Sequence, residues 1–437
     1  MKKNTHFVFL FAFLAIFLGF VVFILFSHFL PGPEKSPATP TAASFDTPTG
    51  LQELPVVTAP PTALDKTEPP EIDNALPGDA ATESPALQNG ATFAPTSNYV
   101  RPIGRTVLQN GVRWFSLSGC GVEFQSGGDS VILTLITANS DTVVSHHRPR
   151  VGVFVDGVLT NDLILENETT AVSVALGEAE TRTVKLIKLS ESMHSCVGLA
   201  GVTCVESVTP SPTAEKLRIE FIGDSITAGY GLDEPNANAA FSTRTQNFSE
   251  TYAYLSATAL GADCWGVAYS GYGVVSGFSA NASLKADAVL SRCYDKALTN
   301  CTNVDDAAAT WSFAENQPHY IVINLGTNDA NNYCCTEARC QEFVAKYQEL
   351  LSMVRSRNPG AFIFCVLGDM NDKLYPYIVQ AVQAYSASTG DAGVTYAPLK
   401  FYMDIYPPAI AGHPSKESNF VAAQELVEIL WKKMNGQ

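Results

Sequence analysis

The hydrophobic pattern changes character four times along the chain. Residues 7–26 form one block of twenty positions without a charge, preceded by Lys2 and Lys3. That length suffices to cross a bilayer as a helix, and the lysines place the short N-terminal side in the cytoplasm. The block is followed by Ser27, His28, Phe29, Leu30 and Pro31, with no pair of small residues for signal cleavage. Residues 1–30 are therefore expected to be an uncleaved transmembrane signal anchor that exports the remainder. A cleaved signal peptide is the alternative, giving a secreted form in the same extracellular compartment. Over residues 31–98 periodicity disappears, and thirteen of the chain's 25 prolines fall here among Ala, Thr, Ser and acidic residues. This composition predicts a disordered stalk, with a mucin-like glycosylated form as a compatible variant.

Short apolar segments then recur between turn signals at 130–137, 150–155, 158–165, 171–176 and 183–189, and Asp156-Gly157 marks a hairpin between two of them. Residues 99–208 are expected to form an all-β sandwich, or jelly roll. Such a module serves either as a sugar-binding unit or as a structural partner of the next domain. After the Thr209-Pro210-Ser211-Pro212 break, which predicts a linker over 209–216, the pattern becomes alternating. Strands are expected at 217–222, 264–269, 320–325, 362–367 and 394–397, with helices at 250–260, 338–357, 373–388 and 417–434. Alternation of this kind predicts a parallel sheet covered on both faces over residues 217–437, with chemistry beyond the C-terminal strand ends.

Charge narrows the partners. With 43 acidic against 27 basic residues, the net charge is −16. That field repels phosphate backbones and disfavours nucleic acid. All ten cysteines lie beyond the apolar block, and an even count in an exported chain predicts disulfides. Cys334, Cys335 and Cys340 lack the paired spacing of a structural zinc site, so no metal is expected. Asn167, Asn247, Asn281 and Asn300 head N-x-S/T sequons, which would mark a glycoprotein in a eukaryotic host.

Four loops at predicted strand ends carry candidate chemistry. The first, Gly223-Asp224-Ser225-Ile226-Thr227-Ala228-Gly229-Tyr230-Gly231, holds a serine on a tight glycine turn. Its hydroxyl would be exposed and its backbone N–H turned toward a developing oxyanion. The second, Ser270-Gly271-Tyr272-Gly273, lets backbone amides approach a substrate closely. In the third, Gly326-Thr327-Asn328-Asp329, the Asn328 amide can donate to an oxyanion; in the fourth, Gly412-His413-Pro414-Ser415, the imidazole can act as base. Elimination supports His413. His6 and His28 flank the apolar block, while His146, His147 and His194 fall in the β domain. His319 opens the strand that ends near Asn328, and at about 3.3 Å per residue lies about 20 Å from the catalytic edge.

In their order and spread these four blocks resemble the SGNH, or GDSL-type, hydrolase superfamily. With the preceding β domain, its Trp114-Phe115-Ser116-Leu117-Ser118-Gly119 segment and the longer GDSITAGYG block, the chain from about residue 100 to 434 resembles carbohydrate esterase family 2. The resemblance implies a three-layer α/β/α hydrolase domain behind a jelly roll. It also implies Ser225 as nucleophile, His413 as base, and Ser225, Gly271 and Asn328 as oxyanion donors. Tyr230 and Tyr272 are candidates for contact with sugar. One departure from the superfamily is visible: the aspartate usually found three residues before the histidine is Ile410 here, and Asp404 is nine residues away across two prolines. Members of the resembled family include some without that aspartate. A main-chain carbonyl in or near residues 408–412 is then expected to hold the histidine.

The function implied is an extracytoplasmic serine esterase that removes O-acetyl groups from xylan- or mannan-like polysaccharide. It would act as a monomer, without a cofactor. A GDSL-type lipase or thioesterase and a catalytically weak surface carbohydrate-binding protein are the alternatives.

Overall fold

The structure, a computed structural model, describes residues 90–436 except 178–180, 213–215 and 307. The expected membrane segment and residues 31–89 of the expected stalk lie outside the described residues. Among the described residues no helix is long and apolar enough to cross a membrane.

Twelve short strands build the β domain: β1 (Ala91–Phe93), β2 (Arg101–Ile103), β3 (Val107–Gln109), β4 (Val112–Phe115), β5 (Gly121–Ser126), β6 (Ser130–Thr137), β7 (Arg150–Val155), β8 (Val158–Ile164), β9 (Thr169–Ala175), β10 (Arg182–Lys188), β11 (Val197–Cys204) and β12 (Val208–Pro210). They form two antiparallel sheets. One runs β3-β4-β11-β6-β9 with β1 also on β11, and the other runs β12-β5-β10-β7-β8 with β2 on β5. Alternation seats Val131, Leu133 and Leu135 of β6 against Val151, Val153 and Val184 in the buried core between the sheets.

Two boundaries differ from expectation. Residues 91–93 pair with 202–204 as sheet strand, so the end of the expected stalk belongs to the sandwich. Phe93 packs edge-on against Tyr99 with ring centroids 5.1 Å apart, giving this segment apolar anchorage that proline counting hides. Thr209 and Pro210, expected in the linker, pair with Gln125 and Phe124.

The hydrolase domain follows as β13 (Arg218–Gly223), α1 (Ser225–Ala228), α2 (Tyr252–Ala259), β14 (Asp263–Ala268), β15 (Tyr320–Asn324), α3 (Glu337–Arg357), β16 (Phe362–Gly368), α4 (Tyr375–Thr389), β17 (Val394–Leu399) and α5 (Lys416–Met434). Its five strands are all parallel, in the order β14-β13-β15-β16-β17. Strand residues alternate between two apolar clusters. Phe221, Val322 and Phe364 pack with α2 and α5, while Ile321, Ile323 and Cys365 pack with α3 and α4. The three layers place the C-terminal strand ends at one edge.

The sandwich is fused to this domain rather than tethered. Ser118 O accepts from Gly266 N (2.8 Å), and Leu189 O accepts from Phe248 N (2.9 Å). Fully buried Arg105 pairs with Glu220 on β13 at 2.8 Å and also donates to the carbonyls of Tyr294 and Lys296. The remaining lone pairs of Glu220 take the Trp265 indole N–H (2.7 Å) and the Tyr294 hydroxyl (2.8 Å). Such satisfaction is what makes a buried charge tolerable.

None of the ten cysteines is joined in a disulfide, contrary to the expectation from their even count. Seven are buried, among them Cys264 and Cys365 on hydrolase strands and Cys120 in the sandwich, where they act as small apolar side chains. Desolvation pushes the Cys120 and Cys365 thiols up to about 12. The expected glycosylation at Asn247 also fails. This residue is 4% exposed, its carbonyl oxygen caps Ser249 N (3.1 Å), and its amide donates to Asp233 (2.9 Å).

Removing the central cation should expose the cost of this fusion. Arg105→Met is expected to lower the unfolding free energy by about 3–5 kcal/mol, because Glu220 is left buried without its partner. Urea denaturation measures it, and a loss below about 1 kcal/mol, the range of exposed pairs, would contradict the assignment.

Candidate active site

Strand β13 ends in Gly223, and the chain then turns sharply into α1. A Cβ at Gly223 would lie 2.1 Å from Thr227 Oγ1, so only glycine lets the helix start this close to the strand. Asp224 caps the helix, its Oδ1 accepting from Ile226 N at 3.0 Å. Gly229 (φ +77°) ends it in the left-handed conformation. Ser225, 8% exposed, is thus held at the sheet edge.

His413 Nε2 lies 2.8 Å from Ser225 Oγ, and His413 Nδ1 lies 2.9 Å from the Ile410 carbonyl oxygen. This pairing assigns the proton to Nδ1, which donates to the carbonyl, and leaves Nε2 to accept from the serine hydroxyl. The carbonyl reaches back because Ala411 (φ 53°, ψ 29°) and Gly412 (φ +78°) both adopt left-handed backbone. For a non-glycine residue such as Ala411 this is a strained conformation. Asp404 is exposed and makes no hydrogen bond or ion pair with His413 among the described residues. Burial lowers the His413 pKa below its ordinary value, opposed by the Ile410 bond and by the charge of Glu191. The ring is therefore neutral near pH 7.

Ile410 is itself held by the first loop. A Cβ at Gly231 would lie 1.8 Å from Ile410 Cγ2, and Gly231 has φ +62°. The last glycine of the serine loop is thereby the seat of the residue that orients the histidine.

The other two loops converge on the same point. Ser270 N donates to Glu191 at 2.7 Å, Tyr272 N to Tyr269 O at 3.1 Å, and Phe278 N to Gly271 O at 2.8 Å. The backbone N–H groups of Ser225 and Gly271 donate to no other group among the described residues. Asn328 Nδ2 donates to Tyr272 O (2.8 Å) and to Asp224 Oδ2 (3.1 Å), so both of its hydrogens are engaged. Fully buried Asp329 receives Val274 N, Val275 N and Ser276 N at 2.8–2.9 Å, bracing the loop that follows Gly271. Desolvation raises Asp329 to about 6 and Asp224 to about 7.

Tyr230 does lie beside the site, but its ring is occupied on both sides. It stacks on His413 (4.6 Å, 25°) and on Phe241 (4.3 Å, 15°). Phe241 in turn meets His194 at 5.3 Å, and His194 stacks on His147 at 3.9 Å. Histidines assigned to the β domain by position thus extend an aromatic stack to His413. Tyr272 is half-buried against Tyr269 at 5.2 Å, its carbonyl committed to Asn328. Sequence reasoning brought Ser225, Gly271, Asn328 and His413 to one edge. It missed Asp224 and Asp329, which sit inside the motifs beside the residues it named, and Glu191 and Phe241, for which no local signal exists.

A serine hydrogen-bonded to a histidine at the C-terminal edge of a parallel α/β/α sheet, between glycine and asparagine loops, defines a hydrolase of the SGNH, or GDSL, type. Residues 219–426 match the GDSL-like lipase/acylhydrolase family, and residues 102–212 match the carbohydrate esterase 2 N-terminal family. The chain is 29% identical over 260 residues to the cellulase/esterase CelE of Acetivibrio thermocellus, spanning 54% of this chain and only 30% of that protein. It is 24% identical over 355 residues to an acetylxylan esterase / glucomannan deacetylase of Cellvibrio japonicus, spanning 79% and 91%. A family two carbohydrate esterase from Clostridium thermocellum, solved in complex with cellohexaose, superposes with TM-score 0.66 at 25% identity, covering 77% of this chain and 99% of that one. The chain thus carries a GDSL-like hydrolase domain behind a carbohydrate esterase 2-type N-terminal domain, and is similar over both to solved family 2 carbohydrate esterases.

The contact between Gly231 and Ile410 gives a test of the histidine's support. Gly231→Ala is expected to displace Ile410 and lower kcat for 4-nitrophenyl acetate by at least about tenfold, since misplacement by 1 Å costs up to about 10²-fold. Asp404→Ala should stay within about twofold. A large loss on removing Asp404, or none on filling Gly231, would contradict the geometry.

Proposed function

We propose that this protein is an extracytoplasmic serine esterase that removes O-acetyl groups from polysaccharide of the xylan or mannan type. The observation that carries the proposal is the continuous relay from the Ile410 carbonyl through the His413 ring to Ser225 Oγ. Ser225 attacks the acetyl carbonyl as His413 Nε2 takes its proton. The N–H groups of Ser225 and Gly271 receive the developing oxyanion. His413 then returns the proton to the departing sugar hydroxyl, leaving an acetyl-serine. Water, deprotonated by the same nitrogen, attacks this ester, and His413 Nε2 passes that proton to Ser225 Oγ as the C–O bond breaks and acetate leaves.

Asn328 is the third donor in this proposal, and it enters with a rearrangement. One of its hydrogens must leave Tyr272 O or Asp224 Oδ2 to reach the oxyanion. The exported location rests on the apolar block at residues 7–26 and the proline-rich segment behind it. The choice of acetylated polysaccharide rests on the activity for which the Cellvibrio japonicus relative is named and on the cellohexaose bound to the Clostridium thermocellum enzyme.

The test is acetate release from a panel of acetylated xylan, acetylated mannan and long-chain acyl esters. Turnover on the acetylated polysaccharides is expected to exceed that on long-chain esters. Ser225→Ala should abolish it, and Asn328→Ala should lower kcat by about 10²- to 10³-fold. Preference for long-chain esters would instead favour a lipase, and turnover surviving in Ser225→Ala would refute the mechanism.

A further inference from the structure

Gly271 has open space where a side chain would project, so backbone hydrogen bonds hold it in place. It has φ +78°, and the only atom a Cβ there would approach within 4 Å is Phe278 Cβ, at 3.9 Å. The Ser270–Gly271 peptide, which carries the N–H that the proposed function assigns to the oxyanion, lies at the centre of a turn closed by Tyr272 N donating to Tyr269 O at 3.1 Å. Its orientation depends on hydrogen bonds at the two ends of the turn. One end is closed by Phe278 N donating to Gly271 O. The other is closed from outside the hydrolase domain.

That outside group is Glu191, from the loop after β10 of the sandwich. Its carboxylate is fully buried. Oε2 accepts from Ser270 N at 2.7 Å, and Oε1 accepts from Ser270 Oγ at 2.6 Å and from Gln246 Nε2 at 3.0 Å. Gln246 cannot turn around, because its Oε1 takes the Glu191 backbone N–H at 2.9 Å. Buried Lys188 binds the carbonyls of Ser190 (2.8 Å) and Glu191 (2.6 Å), fixing the loop from beneath. His194 Nε2 lies 3.8 Å from Oε1. A carboxylate so deeply buried is costly unless its acceptors are filled, and these are filled chiefly by the residue preceding the oxyanion glycine.

We infer that Glu191 is a positioning residue of the oxyanion hole, supplied by the sandwich domain. It pins both the N–H and the hydroxyl of Ser270 and so restrains the next peptide, whose N–H the proposed function assigns to the oxyanion. The sandwich on this account completes the hydrolase site. The inference rests on the proposed role of Gly271.

The test is Glu191→Gln, which keeps size but presents an NH2 group to the fixed Gln246 NH2. Two donors then face each other, and the clamp on Ser270 loosens. The expected result is a fall in kcat for 4-nitrophenyl acetate of about tenfold, below the cost of losing a whole oxyanion donor, with KM within about threefold. The reciprocal exchange Glu191→Gln with Gln246→Glu restores an acceptor opposite each donor, and should recover kcat to within about threefold of the parent. Val153→Ala, in the sandwich core, is the control: it destabilises the same domain yet should leave kcat per folded molecule unchanged. The inference is overturned if Glu191→Gln behaves like Val153→Ala, if its loss lies in KM alone, or if the exchange gives no recovery. Persistence of turnover in Ser225→Ala would instead remove the proposed function, a separate outcome.

Discussion

The hydrogen bond from His413 Nδ1 to the Ile410 carbonyl is the constraint on which the rest of the site depends. An imidazole is useful as a base toward Ser225 only in one tautomer and at one ring angle, and both are set by what its second nitrogen touches. A carboxylate would do this while also stabilising the imidazolium that forms. A carbonyl fixes the tautomer and supplies only a dipole. The structure supports this arrangement through backbone geometry: the left-handed turn at Ala411 and Gly412 aims the carbonyl, Gly231 makes room for Ile410, and the Tyr230 ring covers one face of the imidazole. Burial keeps the ring neutral in the resting state.

The same edge is assembled by two domains. Arg105 and Glu220 close their interface with a fully buried pair, and Arg101 reaches from the sandwich to Asp263 on β14. Glu191 and the His194–Phe241–Tyr230 stack carry that contact up to the Ser270–Gly271 loop and to the histidine respectively. The buried carboxylates Glu220, Asp263 and Asp329 are satisfied locally by cations or N–H groups.

The parallel-sheet domain was legible because its strands are buried on both faces and read as continuous apolar runs, as at residues 320–324 and 362–368. The four loops were legible because each sits immediately after such a run or before a helix. What escaped detection depends on contacts distant in sequence. Glu191 meets Ser270 across 79 residues and Arg105 meets Glu220 across 115, with nothing local to mark either. The short strands β1 to β5 lack a sustained period, so proline content concealed β1. Cysteine parity misled because most of these thiols occupy apolar core positions, and the Asn247 sequon misled because its amide is spent on capping and on Asp233.

The central claim is that a main-chain carbonyl, without a carboxylate, orients the base. Titration of the His413 ring followed by 15N NMR of its two imidazole nitrogens tests this directly. The account predicts a proton on Nδ1 and none on Nε2 at neutral pH, with conversion to the imidazolium below the ordinary histidine value of 6.5. A neutral ring protonated at Nε2, or a transition above that value as a buried carboxylate partner would produce, would contradict it.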